Sequence, residues 1–122
     1  MKRIAVIGAL LANTLLAGTS LAGANQDFTL VNKTGYTLDK VFVSPSHSED
    51  WEDDVLGRET MADGETVPIH FSRGTTTCTW DLKVVYTDDD SSAVWHDIDL
   101  CSVSKITIFY NRSSDKTTAK YD

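Results

Sequence analysis

The segment Cys78-Thr79-Trp80-Asp81-Leu82-Lys83-Val84-Val85-Tyr86 decides the fold class. Cys78, Trp80, Leu82, Val84 and Tyr86 fall at every second position, with Thr79, Asp81 and Lys83 between them. Side chains alternate across a strand, so this spacing makes one apolar and one polar face. A helix would need its apolar residues three and four apart.

The same period recurs outward in both directions. Phe28 and Leu30 alternate with Thr29 and Val31 before the turn residues Asn32-Lys33-Thr34-Gly35, and Tyr36 to Val43 forms a second strand ended by Ser44-Pro45. After Asp63-Gly64 come Val67, Ile69 and Phe71, where Pro68 has no N–H to give a ladder and so predicts an edge strand. Asp88-Asp89-Asp90-Ser91-Ser92 turns the chain into Val94 to Leu100, and Ile106 and Ile108 mark a last strand. Six short strands predict an all-β fold, a small antiparallel β-sandwich over residues 25–111, with a six-stranded barrel as the alternative. Ser46 to Gly57 departs from period two: Trp51 and Val55 lie four apart and Ser46 and Glu49 have capping-box spacing, which predicts one short helical turn. Residues 112–122 are mostly Ser, Thr, Lys and Asp and read as a flexible tail.

The chain has 122 residues and carries 18 acids against 11 bases, a formal charge of −7. That size and balance exclude a multidomain enzyme and a polybasic nucleic-acid binder. Met1-Lys2-Arg3, an apolar run from Ile4 to Ala17 and small residues ending Ala22-Gly23-Ala24 read as a signal peptide over residues 1–24. The run is shorter than a membrane span requires. Cleavage before Asn25 removes two bases and leaves nine against 18 acids, a charge of −9. Such a surface repels phosphate and anionic lipid. The expected protein is a soluble monomer, or a weakly associating one, in the periplasm or secreted, with no nucleic-acid partner and no membrane span.

Cys78 and Cys101 are the only cysteines, and an exported chain pairs them in a disulfide. The pairing conflicts with the strand pattern. Placing the cysteines opposite each other sets Trp80 against Asp99, whereas a register that sets Trp80 against Leu100 turns the cysteines to different faces. A bulge or bend near Leu100 to Ser102 reconciles the two. In the uninterrupted pattern His96 shares a stripe with Val94 and Ile98 and is partly buried, while Trp95 is exposed.

The acids cluster at Glu49, Asp50, Glu52, Asp53 and Asp54, and again at Asp88, Asp89 and Asp90. Acidic loops suit contact with a protein, a glycan or a cationic ligand, and the candidate binding residues are Trp51, Asp53 and Asp54 with Asp88, Asp89 and Asp90 as a second patch. A Ca²⁺-dependent module is the first alternative, with Asp50, Asp53, Asp54, Asp88 and Asp90 as ligands, since Ca²⁺ takes six to eight oxygens. Simple solvation of the acids competes with both. The second alternative is a small hydrolase using His47 with Ser44, Ser46 or Ser48 and Asp50, although no G-x-S-x-G elbow accompanies them. No catalytic residue and no cofactor are assigned. His47, His70 and His96 lack metal-binding spacing.

The order of motifs, Phe28 to Tyr36, Val43-Ser44-Pro45-Ser46, Trp51 through Asp54-Val55-Leu56-Gly57, Cys78-Thr79-Trp80-Asp81-Leu82 and Asp99-Leu100-Cys101, resembles a group of small exported bacterial proteins of uncharacterised function. The resemblance spans nearly all of residues 25–122. It implies export, and it supplies no catalytic or binding residue.

Overall fold

A computed structural model describes residues 23–122, and the expected signal peptide lies outside the described residues except for its last two positions. The strands are β1 Phe28–Lys33, β2 Leu38–Pro45, β3 Thr66–Ile69, β4 Thr79–Tyr86, β5 Ser92–Asp99, β6 Lys105–Asn111 and β7 Lys116–Tyr121. They form a four-stranded sheet in the order β3-β1-β6-β7 and a three-stranded sheet in the order β2-β4-β5. The ladders do not close into a barrel. Alternating side chains from both sheets build one core, with Phe28, Leu30, Ile106 and Ile108 from the first and Val41, Val43, Leu82 and Val84 from the second. Pro68 lies on β3 at the sheet edge, opposite Thr29.

Two features of the topology differ from the sequence reading. The sheets are not purely antiparallel, because β1 and β6 run parallel with Leu30 beside Ile106. Period two finds strands but carries no information on direction, and here the chain crosses through the other sheet before returning. The segment expected to be a tail contains the seventh strand. Thr117, Ala119 and Tyr121 pair with Tyr110, Ile108 and Ile106, so a weakly apolar alternation lies along a strongly apolar one. Its turn is tied by Asn111 Oδ1, which accepts from the Ser113 and Ser114 N–H groups.

The conflict between the cysteines and the core is resolved earlier in β5 than the sequence suggested. Trp80 pairs with Ile98 and Leu82 with Trp95, so the extra residue falls at His96-Asp97, with Asp97 at φ 56°. A bulge reverses which face later residues occupy. Ala93 and Trp95 face the core before it, and Ile98 and Leu100 after it. Val94 and His96 are consequently exposed and Trp95 half-buried, the reverse of the uninterrupted pattern. Leu100 N–H then donates to the Cys78 carbonyl at 2.9 Å, and Cys78 and Cys101 form the disulfide with Cα atoms 5.2 Å apart.

Asp81 occupies the gap opened by the bulge. Its carboxylate accepts from the Asp97 N–H at 2.9 Å, Ser46 Oγ at 2.8 Å and His96 Nδ1 at 3.0 Å. Burial pushes its pKa up, but these hydrogen bonds outweigh it and hold the carboxyl below the ordinary carboxylate range.

Ser46 to Gly57 forms no helical turn, and among the described residues there is no helix at all. Ser46 Oγ is committed to Asp81 and is not free to cap. Asp54 Oδ1 accepts from both the Val41 and Leu56 N–H groups, and the Val55 N–H donates to the Val41 carbonyl at 2.8 Å. The segment thus satisfies the open edge of β2, a backbone demand that helix formation would leave unmet. No helix of the described residues is long and apolar enough to cross a membrane.

Asp81→Ala is expected to cost about 2–3 kcal/mol, because it strands charge-assisted donors around the bulge. Thermal unfolding followed by circular dichroism should show a Tm lower by about 10 °C or more. A depressed carboxyl contributes stability above its unfolded pKa and loses it as pH falls through the folded value. The acid limb of the stability profile, below about pH 4, should therefore flatten in Asp81→Asn. Replacing both Cys78 and Cys101 by Ser should remove roughly 3 kcal/mol in the loop-entropy picture, measured by urea denaturation.

Candidate functional site

Three tyrosines converge where the β4–β5 hairpin meets the β6–β7 turn. Tyr86 ends β4, Tyr110 lies near the end of β6, and Tyr36 follows Gly35, whose φ of 86° suits only glycine in so tight a turn. Buried Asn32 fixes that turn, its Nδ2 donating to the Tyr36 and Met61 carbonyls and its Oδ1 accepting from the Thr34 N–H and hydroxyl. The rings meet edge to face, with centroids 5.5 Å apart for Tyr36 and Tyr110, 6.1 Å for Tyr86 and Tyr110, and 6.2 Å for Tyr36 and Tyr86. That packing leaves no room between them, so they act as one aromatic floor.

The three rings line a cleft of about 160 Å³ together with Asp88, Asp89 and Ser91 from the β4–β5 hairpin and Asp115 from the β6–β7 turn. Every charged residue lining it is an aspartate. Ser91 donates through its N–H and hydroxyl to Asp89 Oδ1, which holds the Asp89 carboxyl below its ordinary range. Tyr110 OH donates to Asp115 Oδ1 at 2.6 Å, and that bond pushes the Tyr110 pKa up to about 12. Tyr86, hydrogen-bonded to Thr117 Oγ1 at 2.7 Å, is also raised, by burial. The cleft thus combines aromatic rings with three carboxylates. Such a surface attracts a cation carrying apolar substituents.

Asp53 and Asp54 line a different cleft, of about 330 Å³, together with Glu52, Val55, Phe71 and Trp80. The two clefts lie toward opposite ends of β4, since Trp80 borders one and Tyr86 the other, six residues or roughly 20 Å along the strand. The structure therefore divides the expected Ca²⁺ ligands: Asp50, Asp53 and Asp54 do not meet Asp88 and Asp90 around one ion. Among the described residues, one group of three His, Cys, Asp or Glu has its ligand atoms within 4.8 Å, namely Cys78, Asp99 and Cys101, where both sulfurs are in the disulfide. Asp90 adopts φ 60° in the hairpin turn and does not line the tyrosine cleft.

Trp51 enters neither cleft. Half-buried, it lies over the outer face of the three-stranded sheet, 6.4 Å from the Phe42 ring, with Lys83 Nζ 5.9 Å from its own centroid. The hydrolase arrangement is not assembled either. His47 Nε2 is 3.5 Å from Asp97 Oδ1, while Ser44 and Ser48 donate to the Asp50 carbonyl and Ser46 to Asp81.

Sequence reasoning identified Asp88 and Asp89 but missed Tyr36, Tyr86, Tyr110 and Asp115. Tyr86 directly precedes the acidic turn, a local signal for an aromatic beside carboxylates. Tyr110 and Asp115 reach the site only through the strand order, which period two does not report.

Asp115→Asn should remove the anionic acceptor and bring the Tyr110 pKa down from about 12 toward the ordinary tyrosine value. Spectrophotometric titration at the tyrosinate band measures this, with one tyrosine titrating earlier than in the parent.

No family model matches the chain, and neither a curated protein nor a solved structure matches it, so the reading of the site rests on its geometry.

Proposed function

We propose that the protein is an exported β-sandwich binding module whose cleft over Tyr36, Tyr86 and Tyr110 takes an organic cation, such as a quaternary or alkylated ammonium group. The observation that carries this reading is the pairing of a three-tyrosine floor with walls whose only charges are Asp88, Asp89 and Asp115. A cation over an aromatic ring gains about 0.5–2 kcal/mol depending on its desolvation, and carboxylates at the rim add attraction and speed encounter. The ammonium's alkyl groups would cover ring surface that is otherwise wet. The leader-like first residues and the Cys78–Cys101 bond, which accords with an oxidising compartment, support the export part of this reading.

Within the class of binding modules, a protein or glycan contact centred on Trp51 has less support, because that indole is already engaged by Phe42 and Lys83. The acidic rim distinguishes the cation from an uncharged sugar. It also gives the reading a sharp chemical control.

Choline and its uncharged isostere 3,3-dimethylbutanol differ by the charge alone. Titrated into the protein and followed by tyrosine fluorescence or amide shifts, choline is expected to bind at least tenfold more tightly. Asp89→Asn and Asp115→Asn should each weaken choline several-fold without affecting the isostere. Equal affinity for the two ligands would defeat the assignment of a cation.

A further inference from the structure

The acids of this chain are absent from one whole sheet. The strands β1, β3, β6 and β7 read FTLVNK, TVPI, KITIFYN and KTTAKY, with four lysines and no Asp or Glu, in a chain with 18 acids. Register places those lysines on one surface. Leu30, Ile106 and Ile108 fill the core, so Thr29, Val31 and Lys33, with their partners Lys105, Thr107 and Phe109, face outward. Beyond them Lys120 lies next to Thr107, Thr118 next to Phe109, and Lys116 next to Asn111. Lys33, Lys105, Lys116 and Lys120 are all exposed, and Phe109 in their midst is 39% exposed. Among the described residues one of the four has an acidic partner: Lys120 Nζ lies 3.9 Å from Asp122 Oδ1.

Lysines on an edge strand commonly serve to prevent strand addition, and that accounts for Lys116 and Lys120 on β7. It does not account for Lys33 and Lys105, which lie on β1 and β6, the two inner strands. We propose that this outer face binds a single strand of acidic polysaccharide, its carboxylates or sulfates paired with Lys33, Lys105, Lys116 and Lys120.

Dimensions favour a narrow polymer. Strands about 4.8 Å apart and six residues long give a face of roughly 14 by 20 Å, well short of the ~800 Å² per partner of a stable protein interface. Acids border it at Asp63, Glu65, Asp115 and Asp122, so a polyanion wide enough to overhang the sheet meets repulsion, whereas a thin one stays over the lysines. Exposed Thr66 and Thr118 and half-exposed Thr29 present hydroxyls for the sugar's own, and the Phe109 ring presents an apolar surface to a sugar ring.

The test uses residues 25–122, which contain every strand found among the described residues, the core and the disulfide. Oligogalacturonate supplies carboxylates and a heparin hexasaccharide supplies sulfates, each titrated at 50 mM salt with amide shifts recorded. Binding of either supports the proposal, and the tighter one names the acid group. The shifts should map to Lys33, Lys105, Phe109, Lys116 and Lys120 and leave Tyr86 and Asp89 unmoved. Affinity should fall about tenfold or more between 50 and 200 mM salt, as contacts to several anionic groups imply. Lys→Thr at all four positions should weaken binding at least tenfold, whereas Lys→Arg at all four retains it, as does the off-face control Arg58→Gln with Arg73→Gln, both in loops outside the strands of this sheet. If the fourfold threonine variant fails to fold, the shift map and the arginine variant still decide. Absence of binding by both probes at millimolar concentration overturns the proposal. So does tighter binding of a DNA duplex or an anionic vesicle, or an equal loss in the off-face control.

Discussion

The whole arrangement depends on one nearly buried carboxylate. Asp81 lies on the strand whose other face is the strongest apolar stripe of the chain, and without the bulge it would stand opposite a paired residue of β5. The extra residue at His96-Asp97 instead turns a backbone N–H toward it, and Ser46 and the His96 ring supply two further hydrogen bonds. Those bonds outweigh the desolvation of the charge. Because the bulge shifts the parity of everything after it, Trp95 and Ile98 can both face inward and Leu100 can reach the Cys78 carbonyl. The disulfide is then compatible with an apolar core. Remove the bulge, and one of the two must fail.

The tyrosine cleft depends on the same frame by a longer route. β4 carries Tyr86 to the end of one sheet, while β6 carries Tyr110 to the matching end of the other. The hydrogen bond between the Tyr86 and Thr117 hydroxyls joins the sheets at that point, and the Asn32 side chain fixes the turn that brings in Tyr36. Rings packed edge to face hold one another in place, which spares a ligand the cost of ordering them. The acids come from turns, where Asp is favoured for its own local hydrogen bonds. Asp89 accepts from Ser91 two residues on, and Asp115 adopts φ 54° in the β6–β7 turn. Structural use of these aspartates in turns thus also delivers their charge to the cleft.

Much of the two-sheet core was legible in the sequence because burial on one face imposes period two locally. Leu30, Leu82, Val84, Ile106 and Ile108 follow it without exception, and Pro68 marked its edge strand through a missing donor. What escaped were features set by distant partners. The parallel pairing of β1 with β6 depends on chain crossing, and β7 is a strand because β6 offers an open ladder, not because KTTAKY is apolar. Asp54 illustrates the same limit at the level of one residue. Its place in an acidic run suggested ligand contact, yet its Oδ1 fills the unmet N–H groups of Val41 and Leu56. The helical spacing around it was coincidental beside the demand of an open strand edge. The bulge was foreseen from the clash between cysteines and core, but its location needed Asp81 to be seen as an acceptor.

Charge is distributed so that the two proposed ligands need not compete. An organic cation and an acidic polysaccharide would neutralise each other in solution, and a chain of formal charge −7 would by net charge alone prefer the first. Net charge is the wrong quantity at short range. Screening at physiological salt acts over about 8 Å, while the sheet face extends roughly 20 Å along its strands away from the tyrosine end. Over that distance each surface presents its own local charge: aspartates above the tyrosines, lysines over β1, β6 and β7. Lys33 and Lys116 are the exceptions, because Lys33 pairs with Phe109, one residue before Tyr110, and Lys116 pairs with Asn111 at the turn that carries Asp115. Coupling between the two sites therefore runs through these two positions, where a polyanion would offset the lysines' positive charge beside the cleft and strengthen its pull on a cation.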